Sequence, residues 1–98
     1  MAREQAVVDA CRRLLKQRGA WAVNVHGAGV GRNGVPDILA CHAGRFIAVE
    51  CKSPTGKPTR LQLHELGRIE RAGGVALVAK TTEELEQVLD RIDREQDT

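Results

Sequence analysis

Hydrophobic residues recur along this chain with two different periods, and the change of period divides the chain into helices and strands. Apolar side chains three and four residues apart predict an amphipathic helix over residues 3–18, which Gly19 ends. Short alternating or continuous apolar runs predict four strands. These strands cover residues 20–25, 38–41, 46–49 and 75–79.

Two further helices are indicated by their start signals. Thr59 and Gln62 stand three residues apart, as do Thr81 and Glu84, and this is the spacing of a capping box. The first of these helices is predicted to reach Ala72, and the second carries the last apolar stripe of the chain. The predicted order is therefore helix, strand, strand, strand, helix, strand, helix. We expect an α/β fold in which the 98 residues form a single domain with one modest core.

The central feature of the sequence is the stretch GVPDILACHAGRFIAVECK, which covers residues 34–52. If Ala43-Gly44 is a two-residue turn, the register of the flanking strands places Asp37 directly opposite Glu50. Opposed residues share a face of the sheet, with Cβ atoms about 4.5–5.5 Å apart. The two carboxylates therefore repel each other unless a cation lies between them. Lys52 follows Glu50 by two residues and projects from the same face.

Two acids beside a lysine are typical of a site for a divalent metal ion. Mg²⁺ takes oxygen ligands, commonly one or two carboxylates together with water and substrate phosphate. We predict that Asp37 and Glu50 are the carboxylate ligands and that the backbone carbonyl of Cys51 adds an oxygen. Lys52 has two interpretations. It orients or activates a water that attacks the substrate phosphate, or it forms a salt bridge to Glu50 and has no further role.

Two polar residues lie on helix stripes that are otherwise apolar. Glu4 continues the apolar stripe of the first helix, which suggests a site residue, but an acid in the first turn is also favoured by the helix dipole. Gln62 points where Leu66 and Ile69 point, but it also completes the capping box with Thr59. From the residues alone, both interpretations of each residue stay open.

The charge of the chain is unevenly distributed. Residues 1–80 carry a net charge of +7 and residues 81–98 a net charge of −5, within a total of +2. A basic body with an acidic tail fits a polyanionic partner, and it fits a solvated surface without a partner equally well. We expect Arg32, in a glycine-rich loop, together with Lys57 and Arg60, to flank the site and grip a phosphate backbone.

The rarer residue types narrow the cellular environment and the kinds of ligand that we expect. Three cysteines without CxxC spacing indicate a reduced, intracellular environment, and Cys41 and Cys51 are predicted to be core thiols and not zinc ligands. The first twenty residues contain no continuous apolar run, so no signal peptide is expected. Trp21 and Phe46 are the only aromatic residues, which argues against recognition of single strands by stacking.

The residues of the predicted site resemble those of a known nuclease superfamily. Pro36-Asp37 and, twelve residues later, Glu50-Cys51-Lys52 match the PD-(D/E)xK signature. More closely, the chain is similar to the virus-type replication-repair nuclease (VRR-NUC) family in its stand-alone phage form. The matching pieces are Glu4, residues 34–37, residues 50–52, Gln62 and Gly73-Gly74, and the resemblance covers about residues 3–90.

This resemblance implies a restriction-endonuclease-like fold, with an αβββαβ core, a mixed four-stranded sheet flanked by helices, and a C-terminal helix. It implies a Mg²⁺- or Mn²⁺-dependent endonuclease that hydrolyses DNA phosphodiester bonds, with branched DNA such as a Holliday junction or flap as substrate. It assigns Asp37 and Glu50 as metal ligands, Lys52 as the catalytic lysine, and Glu4 and Gln62 as supporting residues. It also implies a homodimer, in which a twofold axis pairs two cuts.

Two alternatives remain open. The first is a non-catalytic DNA-binding module on the same fold, against which the intact set of Asp37, Glu50 and Lys52 argues. The second is a nuclease that acts on RNA. The net charge of +7 over residues 1–80 favours a long polyanion over a small nucleotide, but it does not separate DNA from RNA.

Overall fold

The computed structural model describes residues 3–25 and 33–97, which form three helices and four strands. They are α1 (Arg3–Gln17), β1 (Trp21–Asn24), β2 (Ile38–His42), β3 (Arg45–Cys51), α2 (Arg60–Arg71), β4 (Val75–Ala79) and α3 (Thr82–Gln96). This confirms the predicted order, and the bounds differ from the predicted ones by one or two residues at most. None of the described helices is long and apolar enough to cross a membrane.

The strands form one mixed sheet in the order β1-β2-β3-β4, as expected. The pairs β1–β2 and β2–β3 are antiparallel, and β3–β4 is parallel. The β2–β3 register is the predicted one, with Ile38 opposite Val49 and His42 opposite Arg45. The turn Ala43-Gly44 has positive φ at both residues, 50° and 79°, which is the geometry of a type I′ turn. Such a turn matches the twist of its strands and fixes their register.

One face of the sheet carries the hydrophobic core. Helices α1 and α3 pack on this face, because each presents an apolar stripe to the inward side chains of β2, β3 and β4. The fully buried members of this core include Cys11, Leu15, Ile38, Ile47, Val49, Leu85 and Leu89. Helix α2 packs against β3 and β4, and its buried Leu66 lies outside that core. The chain is thus layered as two helices, a sheet and one helix.

The β1–β2 part of the second face is left uncovered by α2. Across three strands, Trp21 pairs with Cys41 and Cys41 with Phe46, and all three side chains are exposed. The prediction of a core thiol is therefore wrong for Cys41 and confirmed for Cys51, which is fully buried. Successive strand residues point to opposite faces, and Cys41 falls on the second face, in the part that α2 does not cover.

A glycine joins the loop before β2 to helix α2. Gly34 has a φ of +89°, and a Cβ atom there would lie 2.7 Å from Cγ of Leu61. Only a residue without a side chain permits both this conformation and this contact. The loop that leads to Asp37 is therefore seated directly on α2.

The acidic α3 is tied to the rest of the protein by ion pairs. The Arg18 guanidinium donates to Asp90 at 2.9 Å and to Asp93 at 2.7 Å. Asp93 also contacts Nε2 of the buried His42 at 2.7 Å, and Arg45 donates to Glu95 at 2.9 Å. Part of the negative charge of the tail thus holds α3 against the end of α1 and the tip of the hairpin.

The substitution Asp93→Asn tests this network. Arg18 and His42 hold the pKa of Asp93 below its ordinary value of 3.8, so the carboxylate stabilises the fold above that value and stops doing so as the pH falls through its lowered folded-state pKa. We expect the variant to have a lower urea midpoint than the wild type at neutral pH. The difference should shrink at acidic pH, where the wild-type carboxyl is also neutral.

Glu86→Gln is the matched control, since Glu86 is an exposed acid of the same helix. A deficit of Asp93→Asn that is equal at neutral and acidic pH would show that the side chain stabilises the fold by packing and not by its charge.

Candidate active site

Asp37 and Glu50 meet at one end of the β2–β3 pair. Asp37 directly precedes β2, and the register of Ile38 with Val49, continued by one pair, sets Asp37 opposite Glu50. The backbone N–H of Cys51 donates to Oδ2 of Asp37 at 2.8 Å. This hydrogen bond fastens the Asp37 carboxylate to β3 beside Glu50. The sequence predicted the pairing of the two acids, but it gave no sign of this bond.

Glu50 is a buried acid, with 1% of its surface exposed. Burial, and after it the charge of Asp37, raise the pKa of its carboxyl to about 7, although Lys52 acts in the opposite direction. The Lys52 Nζ atom lies 3.3 Å from Oε2 of Glu50. Within the described residues, the other oxygen, Oε1, is buried and has no hydrogen-bond partner. Lys52 therefore pairs with only one of the two carboxylate oxygens of Glu50.

Glu4 and Gln62, the two predicted supporting residues, lie in the first turns of two helices. The charge of Glu4, in the first turn of α1, also raises the pKa of Glu50, which places Glu4 within electrostatic reach of the pair. Gln62 completes the capping box of α2: its Oε1 accepts from the backbone N–H of Thr59 at 2.8 Å. This bond uses the carbonyl oxygen of the amide. That the nitrogen Nε2 supports the active site therefore stays a prediction.

The structure describes two of the three cations that are predicted to contact a phosphate backbone. Lys57 and Arg60 are exposed, in the loop before α2 and at its first residue. Arg32 lies outside the described residues. Lys57, Arg60 and Gln62 are close along the chain at the start of α2, and the loop that leads to Asp37 rests on the same helix through Gly34.

The donor set suits a small hard cation. No group of three or more His, Cys, Asp and Glu side chains that could hold a metal ion occurs among the described residues. Two carboxylates are nevertheless within the usual complement for Mg²⁺ or Mn²⁺, which complete their coordination with carbonyl oxygens, water and phosphate. The buried Oε1 of Glu50 is an acceptor without a donor, and a divalent ion would satisfy it and neutralise the repulsion from Asp37.

Behind the site, two thiols pack together. Cys11 on α1 and Cys51 on β3 are both fully buried in the same core. The interaction with Cys11, and after it burial, raise the pKa of the Cys51 thiol, so it stays neutral. Cys51 therefore serves the site through its backbone, while its side chain belongs to the core.

Comparison with known proteins gives four related matches, of which the first two are a family model and a curated protein. The model of the archaeal Holliday junction resolvase (Hjc) family matches residues 4–97. A protein of Acyrthosiphon pisum secondary endosymbiont phage 1, named "Putative nuclease p44", is 47% identical over 49 residues. That match covers 49% of this chain and 53% of the phage protein, so the chain matches about half of its curated relative.

Two solved structures have the same fold. A VRR_NUC domain superposes with a TM-score of 0.73 at 23% identity, over 90% of this chain and 95% of that one. Hjc from Archaeoglobus fulgidus, a Holliday junction resolvase, superposes with a TM-score of 0.52 at 28% identity, over 72% of this chain and 63% of that one. These matches confirm the predicted restriction-endonuclease-like fold and the resemblance to VRR-NUC nucleases.

Glu50→Gln tests whether the buried charge is kept for a metal ion. In metal-free buffer we expect the variant to be more stable than the wild type, by on the order of 1 kcal/mol, because it removes a buried charge that faces a second acid. Mn²⁺ should raise the melting temperature of the wild type and leave that of the variant unchanged, since binding to the folded state stabilises it.

Glu70→Gln, which removes an exposed acid on α2, provides the comparison. If Mn²⁺ shifts the melting temperature of Glu50→Gln as much as that of the wild type, Glu50 is not a ligand.

Proposed function

Since the chain belongs to the archaeal Holliday junction resolvase (Hjc) family, we propose that it is a nuclease that hydrolyses phosphodiester bonds of branched DNA with the help of Mg²⁺ or Mn²⁺. The observation that carries this proposal is the pair of facing carboxylates, one of them buried with an unpartnered oxygen, beside Lys52. This arrangement costs stability in the absence of a cation, and the core packing of the chain does not require it. The fold shared with a VRR_NUC domain supports the same chemistry.

Asp37, Glu50 and the carbonyl of Cys51 are the groups that would hold the metal ion. When bound, the ion would polarise a phosphoryl oxygen and lower the pKa of water. The hydrogen bond from Cys51 keeps the Asp37 carboxylate turned toward β3, so the ligands are set before any ion or substrate arrives. Such preorganisation reduces the rearrangement needed during the reaction.

Lys52 supplies the positive charge of the site from the protein itself. Its side chain is 12% exposed, and Nζ lies 3.3 Å from Glu50, so the ammonium is held at the edge of the buried pair. An ammonium in this place can donate to a phosphate oxygen as negative charge develops there, or hold the attacking water by a hydrogen bond. Glu4 and Gln62 would position the water or the ligands around it.

A nucleic-acid backbone is the kind of substrate that the surface charge supports. Lys57 and Arg60 are exposed beside the start of α2, where they can contact phosphates that flank the cut bond, and we assign Arg32 to the same role from its place in the sequence. Branched DNA is the substrate class because the family model and the Archaeoglobus fulgidus structure are both Holliday junction resolvases. Three free thiols suit a reducing, intracellular environment.

A homodimer would bring two such sites to one junction. Helix α3 is not available as its interface, because Leu85, Leu89 and Ile92 are buried in the core of the same chain. The sheet face that α2 leaves uncovered offers a better surface: Val23 on β1 and Phe46 on β3 are 37% and 44% exposed there. Exposed apolar area of this kind marks an interaction site, and we assign a second copy of the chain to it.

Cleavage of labelled four-way junction, flap and linear duplex DNA tests the activity. We expect the wild type to cut branched DNA with Mg²⁺ or Mn²⁺ and not with EDTA. Lys52→Ala should lower the single-turnover rate by about 100-fold or more, because it removes one preorganised charge from the reacting phosphate.

Arg91→Ala, which removes an exposed cation of α3, is the control for loss of charge alone. If folded wild-type protein binds junctions but leaves them intact in both metals, the chain is the non-catalytic DNA-binding module. Preferential cutting of RNA would establish the RNA nuclease instead.

Light scattering during gel filtration tests the dimer. Phe46→Glu places a charge in the uncovered sheet face and should shift the protein from dimer to monomer, whereas Leu63→Glu, at an exposed apolar residue of α2, should not. A wild type that stays monomeric at all concentrations would contradict the homodimer.

A further inference from the structure

A basic groove of about 420 Å³ runs between the second half of α1 and β1. Its walls are formed by Arg12, Arg13, Lys16, Ala20, Trp21 and Ala22. β1 is an edge strand, and its first residue, Trp21, lines the groove together with the three cations and is 65% exposed. The groove thus combines concentrated positive charge with one large aromatic residue.

The cations of the basic groove have no acidic partners, although acids are close by. Within the described residues, none of the three forms an ion pair, whereas Arg18, one turn further along, is held by Asp90 and Asp93. Asp9, the acid nearest to them along α1, accepts a hydrogen bond from Gln5 at 3.0 Å instead. The negative charge of α3 is therefore used on the neighbouring surface, and the basic groove keeps its full charge of three.

This arrangement weakens the helix that carries it. Arg12 and Lys16 are four residues apart, and Arg13 and Lys16 are three apart, so like charges are neighbours on the helix surface. Such pairs destabilise a helix, and none of the three side chains belongs to the buried core. A polyanion in the basic groove would relieve this repulsion.

Both elements that form the basic groove lead to the candidate active site. Glu4, in the first turn of α1, lies within electrostatic reach of Glu50, and Arg12 follows eight residues later, about 12 Å along the helix axis. β1 runs in the opposite direction, from Trp21 at the groove toward Val25, whose N–H donates to the carbonyl of Asp37 at 2.9 Å. The basic groove and the site are therefore two ends of one continuous edge of the protein.

We propose that the basic groove binds backbone phosphates of the DNA arm that adjoins the cut bond, about four base pairs from it. The inference rests on the proposed function, since it extends the contact of that active site with its substrate. Arg12, Arg13 and Lys16 donate to phosphate oxygens, and the indole of Trp21 gives an apolar surface to the adjoining deoxyribose. One turn of helix separates Arg12 from Lys16, so they can contact neighbouring phosphates of one strand.

Trp21 provides a direct test, because it is the only tryptophan in the chain. Wild-type protein is titrated with an intact, fluorescently labelled four-way junction in EDTA, and the anisotropy of the DNA label reports binding. At a fixed protein concentration, the quenching of Trp21 fluorescence by acrylamide is then measured. We expect bound DNA to protect Trp21 from acrylamide. A junction whose arms are shortened to three base pairs beyond the cut position should protect it less.

The salt dependence of binding tests the cations. We expect the combined variant Arg12→Gln, Arg13→Gln, Lys16→Gln to bind about tenfold more weakly and to flatten the plot of log K against log[salt] by about 2 to 3. Its melting temperature should equal or exceed that of the wild type, which separates lost binding from lost folding. The control Arg71→Gln, Arg91→Gln, Arg94→Gln changes the formal charge equally at exposed residues outside the groove.

The other outcomes separate the two proposals. Cleavage and tight binding of junctions with Trp21 still open to acrylamide and an unchanged salt slope would overturn the basic groove and leave the nuclease standing. If the protection of Trp21 from acrylamide increases with protein concentration and does not change when DNA is added, a second copy of the chain covers this edge. That result overturns the groove assignment. Folded protein that neither binds nor cuts DNA would overturn the proposed function and the groove together.

Discussion

A carboxylate that is removed from water must be balanced by another group, and in this protein that requirement falls on Glu50. The antiparallel register of β2 with β3 sets it opposite Asp37, and the parallel pairing of β3 with β4 buries it. Lys52 pairs with one of the carboxylate oxygens of Glu50. The turn, the two strand pairings and the Gly34 contact with α2 keep these groups together.

Much of this arrangement could be predicted because it is local in sequence. The turn Ala43-Gly44 determines which residues of the hairpin face each other, and a spacing of two puts Lys52 on the side of Glu50. The capping box of Gln62 was likewise visible as a spacing, and the structure shows that it forms. Whether Gln62 also takes part in the reaction is a question of what its free nitrogen contacts, which spacing does not determine.

The rest depended on packing between distant parts of the chain. A period of two shows that Cys41 and Cys51 point to opposite faces, but not which face a helix covers, and so Cys41 was wrongly placed in the core. In the same way, Arg18 and Arg12 look alike in sequence. They differ because α3, more than seventy residues later in the sequence, brings Asp90 and Asp93 to Arg18 and not to Arg12. A cluster of charges in the sequence indicates a binding surface only after the tertiary contacts show which of the charges are already paired.

The alternation along the strands also divides the cysteines by reactivity. All three are free thiols, but Cys11 and Cys51 are buried against each other, while Cys41 lies exposed between Trp21 and Phe46 in the row that crosses the sheet. Buried neutral thiols are inert toward water-soluble reagents, and an exposed one is not. The native chain can therefore carry a single fluorophore or spin label at Cys41, on the sheet face opposite the core, without any change to its sequence.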